Sequence, residues 1–189
     1  RPPSDEERER PRFWRYWNAL PRKGAMALFV DDWSTSLVVD RFARRLSEAA
    51  FVREIEHVER FEQELVDDGA LLLKFWIHLS RKEMKKRFDR AKQGDGAALR
   101  VDALDRQIYE HYDAMLPVAE RLLRRTSCGV TPWQVIEGTD PHYRDLAVAE
   151  GILAALRARR AAPASVPEPV APVAVAGVDV IAEQGVLLA

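Results

Sequence analysis

Residues 70–77 read Ala-Leu-Leu-Leu-Lys-Phe-Trp-Ile, an apolar run broken only by Lys74. A strand that is covered on both faces reads as a continuous apolar run, whereas a half-exposed strand alternates, so this stretch predicts a buried strand of a parallel sheet. Two shorter runs have the same character. Residues 25–30 (AMALFV) end abruptly at Asp31-Asp32-Trp33, and residues 132–136 (PWQVI) read as a third short strand. Between these runs the apolar spacing changes from continuous to three and four: Phe51, Ile55, Val58, Phe61 and Leu65 make one stripe of a helix over 51–68, stopped by Gly69. Helices are further predicted over 6–20, 37–49, 81–92, 101–115, 117–125 and 141–160. Ser4 and Glu7 form a capping box for the first, Ser80 caps the one over 81–92, and Asp140-Pro141 opens the last. Strand and helix alternate, which argues an α/β sheet with helices on both faces.

The chain of 189 residues has room for one such domain. Residues 161–189 are Ala-, Pro- and Val-rich without lysine or arginine and read as a linker or tail. Net charge is −1, which excludes a global positive field for nucleic acid or anionic lipid but leaves room for a local patch. Hydrophobic residues make up 47% and charged residues 31%, the balance of a globular protein, and no apolar run reaches the roughly 20 residues of a membrane span. The single Cys128 excludes an intramolecular disulfide and fits a reducing cytoplasm. The chain begins at Arg1 rather than at a methionine, with no signal-peptide pattern, and is expected to be a piece of something longer.

Three places could carry chemistry. At the end of the first apolar run, Asp31 and Asp32 could hold Mg²⁺ against a phosphate, since ligands of open α/β sheets bind at the carboxyl ends of strands. More commonly, an aspartate there is a turn residue and helix-entry cap, and that reading is favoured. Residues 81–100 carry Arg81, Lys82, Lys85, Lys86, Arg87, Arg90, Lys92 and Arg100 against Glu83, Asp89 and Asp95. At 100° per residue Lys82, Lys85, Lys86 and Arg90 share one face, with Met84, Phe88 and Ala91 opposite. Such a face suits a lid closing on a polyanion, or is an ordinary solvated surface. The mix of rings and arginines at Arg12, Phe13, Trp14, Arg15, Tyr16 and Trp17 could brace phosphates or make core and interface. His57, His78, His111 and His142 have no metal-ligand spacing, and none of the nine glycines is followed by lysine, so the chain contains no phosphate-binding P-loop.

The segments SDEERERPRFWR (4–15), WNALPRKGAMALF (17–29) with Trp33, FEQELVDDGALLLKFWIHLS (61–80), Lys86-Arg87-Phe88, Thr131-Pro132-Trp133 and EGTDPHYR (137–144) together resemble the polyphosphate kinase 2 family. The resemblance runs over residues 3–158 and is strongest to the N-terminal half of the two-domain polyphosphate:AMP phosphotransferases. It implies a three-layer, P-loop-kinase-like domain over 1–160 with a parallel sheet and a helical lid at about 81–116. It also implies that the P-loop strand and helix are missing on the N-terminal side. The implied activity is phosphoryl transfer between polyphosphate and AMP or ADP with Mg²⁺, in which protein residues mainly position substrates and neutralise charge.

Carried over position by position, the family's Asp-Arg-Ser-Trp-Tyr motif falls on Val30, Asp31, Asp32, Trp33 and Ser34. Valine cannot bind a metal, and aspartate in place of arginine repels a phosphate. The resemblance places Lys86, Arg87 and Arg90 among the basic lid residues, reduces a Trp-Lys element to Leu99-Arg100, and matches Arg15 to an arginine of unassigned role. Lys86, Arg87, Arg90, Arg100 and Arg15 are thus the polyphosphate-binding candidates, and Asp31 and Asp32 the weak metal candidates. The expectation is a truncated or catalytically degenerate half of a phosphotransferase, binding polyphosphate and docking on a second kinase domain or a second copy. The alternative is a non-enzymatic interaction domain that keeps only the fold.

Overall fold

A computed structural model describes residues 4–30, 32–92, 101 and 103–161. Asp31, Arg100 and the tail at 162–189 lie outside the described residues. The described residues fall into two units, one within Arg1–Leu28 and one within Phe29–Ala162.

In the first unit, Ser4 caps α1 (Asp5–Glu9) through the expected box, its hydroxyl accepting from Glu7 N while the Glu7 carboxylate accepts from Ser4 N. The single helix predicted over 6–20 is in fact two. Arg10, held in the extended region because proline follows it, ends α1, and α2 (Trp14–Trp17) begins after the Pro11 turn. The strand predicted over 25–30 is absent: those residues form no ladder, and Met26, Leu28 and Val30 are 75–80% exposed. An apolar run becomes a strand only where a neighbour takes its backbone hydrogen bonds, and none among the described residues pairs with this one.

The second unit is built on two long helices and a small sheet. In α3 (Thr35–Phe42), Leu37, Val38, Val39 and Phe42 are buried. This helix stops well short of the predicted end at 49, because Arg44 turns left-handed at φ +59° and its N–H and that of Arg45 close back on Arg41 O and Asp40 O. Ser47 caps α4 (Glu48–Asp67), whose predicted stripe from Phe51 to Leu65 is fully buried. Gly69, at φ +91°, ends α4 with the same pair of reverse bonds, Gly69 N to Val66 O and Ala70 N to Leu65 O.

β1 (Lys74–His78) and β2 (Trp133–Glu137) then pair in parallel, Lys74 opposite Trp133 and His78 opposite Glu137. Between them lie α5 (Arg81–Lys92), α6 (Ala103–Glu110) and α7 (Tyr112–Thr126), and α8 (Pro141–Ala161) follows β2. The helix break predicted at Pro117 occurs instead at His111, and Pro117 sits inside α7. Tyr112, Met115, Ala119 and Leu122 form one buried stripe across it, and that packing outweighs the single backbone bond proline removes.

Alternate strand residues face opposite layers. Phe75 and Gln134 face α8, where Gly151 lets the helix approach so closely that a Cβ there would lie 2.9 Å from the Phe75 ring. Lys74, Trp133 and His78 face α4 and α7. The sheet thus has helices on both faces, as expected, although it has two strands among the described residues rather than the three predicted.

The one charged residue of β1's apolar run is the centre of that second layer. Lys74, 4% exposed, donates to Glu62 Oε2 at 2.6 Å and to Thr126 O at 2.6 Å. Lys74→Met is expected to cost about 3–5 kcal/mol in chemical unfolding, because Glu62 is left charged and unpaired in the interior. Adding Glu62→Gln, which keeps an acceptor for Trp33, should recover much of the loss. A fully stable single variant would show that the pair does not hold the layer together.

Candidate functional site

The carboxyl ends of β1 and β2 are where an α/β sheet presents ligand-binding groups. At the end of β1, His78 Nε2 lies 3.4 Å from the hydroxyl of buried Tyr112. Two residues on, Ser80 caps α5, its hydroxyl accepting from Glu83 N. The end of β2 closes against the same point: Gly138 N donates to His78 O at 2.8 Å, and any Cβ on Gly138 would meet Ile77 and His78 O. Glu137 accepts from Thr139 N, and hydrogen bonds from Thr139 hold its carboxyl below the ordinary glutamate pKa. Asp140 accepts from His142 N and Tyr143 N, starting α8 as expected.

α5 leaves this rim as about three turns of helix with a basic surface. Met84 is buried, the Phe88 ring stands edge-on to Tyr109 at 5.1 Å, and Arg81 ion-pairs with Asp113 at 2.7 Å while its guanidinium covers the Tyr109 ring. Those contacts fix the apolar side of the helix against α6 and α7. Lys82, Lys85, Lys86 and Arg90 therefore stand exposed on the opposite side, as the helical spacing predicts. Lys86 pairs with Glu83 at 2.6 Å on that surface, and Arg87 is half-buried at its flank. Neighbouring cations three and four residues apart sit roughly 5–6 Å from one another at their Cβ atoms, a spacing at which a flexible polyanion can meet several at once. Arg15 is placed in the other unit, its guanidinium over Tyr16 and 3.9 Å from Glu7.

Of the other candidate positions, Val30 and Asp32 are described and sit at the turn before α3. Val30 is exposed and carries no ligand atom. Asp32 Oδ1 accepts from Ser34 N (2.9 Å), Thr35 N (3.2 Å) and Thr35 Oγ1 (3.4 Å), so its carboxyl closes the first turn of α3. Burial pushes its pKa up, against those three donors and against the charge of Lys74. A Mg²⁺ ion asks for several oxygen ligands in a near-octahedral set. Asp32 is spent on the helix, Val30 offers no ligand atom, and the described residues hold no group of three possible metal ligands, so the described part of the motif does not fit that ion.

Sequence reasoning missed what lies behind the turn. Trp33 is buried with its Nε1 donating to Glu62 Oε1 at 3.1 Å, and Trp133 Nε1 donates to Thr126 Oγ1 at 2.8 Å while its ring faces Lys74 Nζ at 5.1 Å. Glu62 is shifted upward by burial, with Lys74 pulling the other way. Beside it is a cavity of about 200 Å³ that Glu59, Arg125, Cys128 and Thr131 help to line. The exposed Cys128 thiol has a lowered pKa because Thr131 Oγ1 lies 3.0 Å from its sulfur, a hydroxyl partner rather than the base that a nucleophile requires.

Residues 1–163 match the family described as Polyphosphate kinase 2. The polyphosphate:AMP phosphotransferase of Pseudomonas aeruginosa is 42% identical over 156 residues, covering 82% of this chain and 32% of that protein. A solved structure from Pseudomonas aeruginosa, described as a polyphosphate kinase 2, superposes with a TM-score of 0.72 at 41% identity, over 85% of this chain and 32% of that one. Polyphosphate kinase 2 from Arthrobacter aurescens superposes at 0.79 with 22% identity, over 85% of this chain and 56% of its own, and shows the shared fold. The chain thus spans about a third of the length of the Pseudomonas aeruginosa enzyme.

The Asp32 carboxyl yields a prediction with a definite sign. A raised carboxyl pKa means the fold favours the neutral acid, so the stability it contributes at low pH is lost as pH rises through the raised value. Asp32→Asn keeps the oxygen that caps α3 and removes the charge. The variant is therefore expected to gain in melting temperature over the parent as pH rises above the ordinary aspartate pKa of about 4. A gap that narrows over that rise would contradict the assignment.

Proposed function

Because this chain belongs to the polyphosphate kinase 2 family, we propose that it binds polyphosphate on the basic face of α5 and serves as a supporting, non-transferring half of a polyphosphate:AMP phosphotransferase. The single observation that carries this reading is the position of Lys82, Lys85, Lys86 and Arg90, exposed together on a helix that starts at the carboxyl end of a parallel strand. In phosphoryl transfer most of the protein's work is charge neutralisation and positioning, and a row of cations supplies the first of these without a carboxylate site. Arg87 and Arg100 belong to the same proposal as flanking cations. Any Mg²⁺ travels with the phosphate chain, since Asp32 is committed to α3 and Val30 offers the ion no ligand.

The relative's printed activity names polyphosphate and AMP as the substrates, and for this chain both are part of the proposal. Transfer itself needs groups this sequence does not carry. No glycine is followed by the lysine of a phosphate-cradling loop, and the motif position that should offer a metal-binding carboxylate is Val30.

Two measurements test the reading. Polyphosphate affinity should fall steeply as salt is added, and neutralising Lys82, Lys85, Lys86 and Arg90 together to alanine should lower it on the order of 10- to 100-fold at low ionic strength. Binding that is undetectable at low salt would return the chain to the alternative of an interaction domain. Incubated with Mg²⁺, AMP and polyphosphate, the chain should form no ADP beyond a protein-free control. ADP production that Lys86→Ala, Arg87→Ala and Arg90→Ala together abolish would overturn the supporting role.

A further inference from the structure

The basic face of α5 and a magnesium ion compete for the same atoms of a phosphate chain. Lys82, Lys85, Lys86 and Arg90 are exposed there together, and each offers only N–H donors. Ammonium and guanidinium groups meet phosphate at its non-bridging oxygens and have no lone pair to give a metal. Mg²⁺ is a hard cation and binds a phosphate chain through those same oxygens. Face and ion can share the chain where a protein carboxylate bridges them, as in sites that take Mg²⁺ through one or two carboxylates and substrate phosphates. The described carboxylates of the candidate site are engaged otherwise. Asp32 accepts from Ser34 N and Thr35 N, Glu137 from Thr139 N, and Asp140 from His142 N and Tyr143 N. Along α5, Glu83 is held by Lys86 at 2.6 Å. Asp89 is exposed, but Lys86 and Lys85 lie three and four residues before it and Lys92 three after, a positive setting that disfavours a divalent cation.

We propose that this chain takes polyphosphate in its metal-free form, and that Mg²⁺ antagonises the binding instead of bridging it. The proposal rests on α5 being where polyphosphate binds. Each Mg²⁺ on the chain cancels two negative charges and occupies oxygens that the lysines would otherwise meet, so every loaded phosphate is worth less to the protein. An ion that stays on the chain sits away from the four cations. The effect is reciprocal: by whatever factor Mg²⁺ lowers the affinity for protein, protein lowers the affinity of the chain for Mg²⁺. A supporting half of this kind holds polyphosphate while its phosphates are bare. It yields the chain as the phosphates load with metal, the form on which phosphoryl transfer works.

The test titrates the whole chain with a polyphosphate of defined length by calorimetry, once in EDTA and once in millimolar Mg²⁺, with ionic strength matched by sodium chloride. Mg²⁺ should raise the dissociation constant by on the order of 10-fold beyond the matched salt. A fluorescent magnesium indicator should report the ion released when protein is added to Mg²⁺-loaded polyphosphate. Asp89→Asn removes an acid from among the cations, so it should tighten binding in both buffers by a similar factor and leave their ratio unchanged. Affinity that Mg²⁺ leaves unaltered or strengthens at equal ionic strength overturns the proposal. So does a gain from Mg²⁺ that Asp89→Asn abolishes, which would assign a bridging ion to that carboxylate. Either result still leaves polyphosphate on the chain, whereas binding that is undetectable in both buffers at low salt overturns the polyphosphate reading itself and this inference with it.

Discussion

One lysine in the middle of an apolar strand organises the larger unit. Lys74 is drawn into the interior with Glu62, and an ion pair there does not repay the loss of hydration unless every remaining donor and acceptor is matched. Here they are matched from four directions: Glu62 on α4, Thr126 O at the end of α7, the Trp133 ring on β2, and Trp33, from the turn before α3, holding the second oxygen of Glu62. The arrangement ties the α3 turn, α4, β1, α7 and β2 to a common point. It also fixes the register of β1, because a slip by one residue would turn Lys74 toward α8, where Phe75 now packs on Gly151 and no carboxylate is provided.

That network governs what the chemistry at the α3 turn can be. Asp32 and Glu62 both feel Lys74, both are shifted upward by burial, and the charge on Asp32 adds to the rise at Glu62. One buried ammonium serves two carboxyls, and Asp32 is balanced further by the amides of Ser34 and Thr35. A carboxylate so engaged is structural. The cations proposed to meet polyphosphate stand elsewhere, on α5 beyond the end of β1, where Lys86 pairs with a half-buried Glu83.

Much of this could be read from the sequence where local physics decides. α5 spans the predicted residues, α8 starts at its Asp-Pro signal, and the buried stripe of α4 is the predicted one, since periodicity and caps are local. The basic face of α5 followed from the same periodicity. Some failures come from distance along the chain and some from local turns that carry no sequence signal. Residues 25–30 have a strand's composition but no ladder partner among the described residues, and composition alone cannot supply one. α3 ends at a left-handed Arg44 that carries no glycine signal. The Trp33–Glu62 and Glu62–Lys74 contacts join residues 29 and 12 positions apart, and nothing in a linear reading pairs them. Asp32 was legible as one of two things, a ligand or a cap, and only its hydrogen bonds decide that it acts as the cap.

The near-zero net charge of −1 conceals a division of labour that the fold makes visible. Acidic side chains are spent on caps and internal pairs: Asp32 at α3, Glu62 on Lys74, Asp140 at α8, Glu48 between Arg41 and Arg121. Along α5 the balance reverses, with four cations on one face, Lys86 paired to Glu83 and Asp89 exposed among them. An attraction to a polyanion depends on the local potential within about a Debye length, roughly 8 Å at physiological salt, and not on the sum over the chain. A neutral total is therefore what such a protein should have if it must hold phosphate at one place and repel nothing elsewhere. The fold approaches it by placing several carboxylates where they cap helices and pair cations away from α5, leaving Glu83 and Asp89 as the acids along that helix.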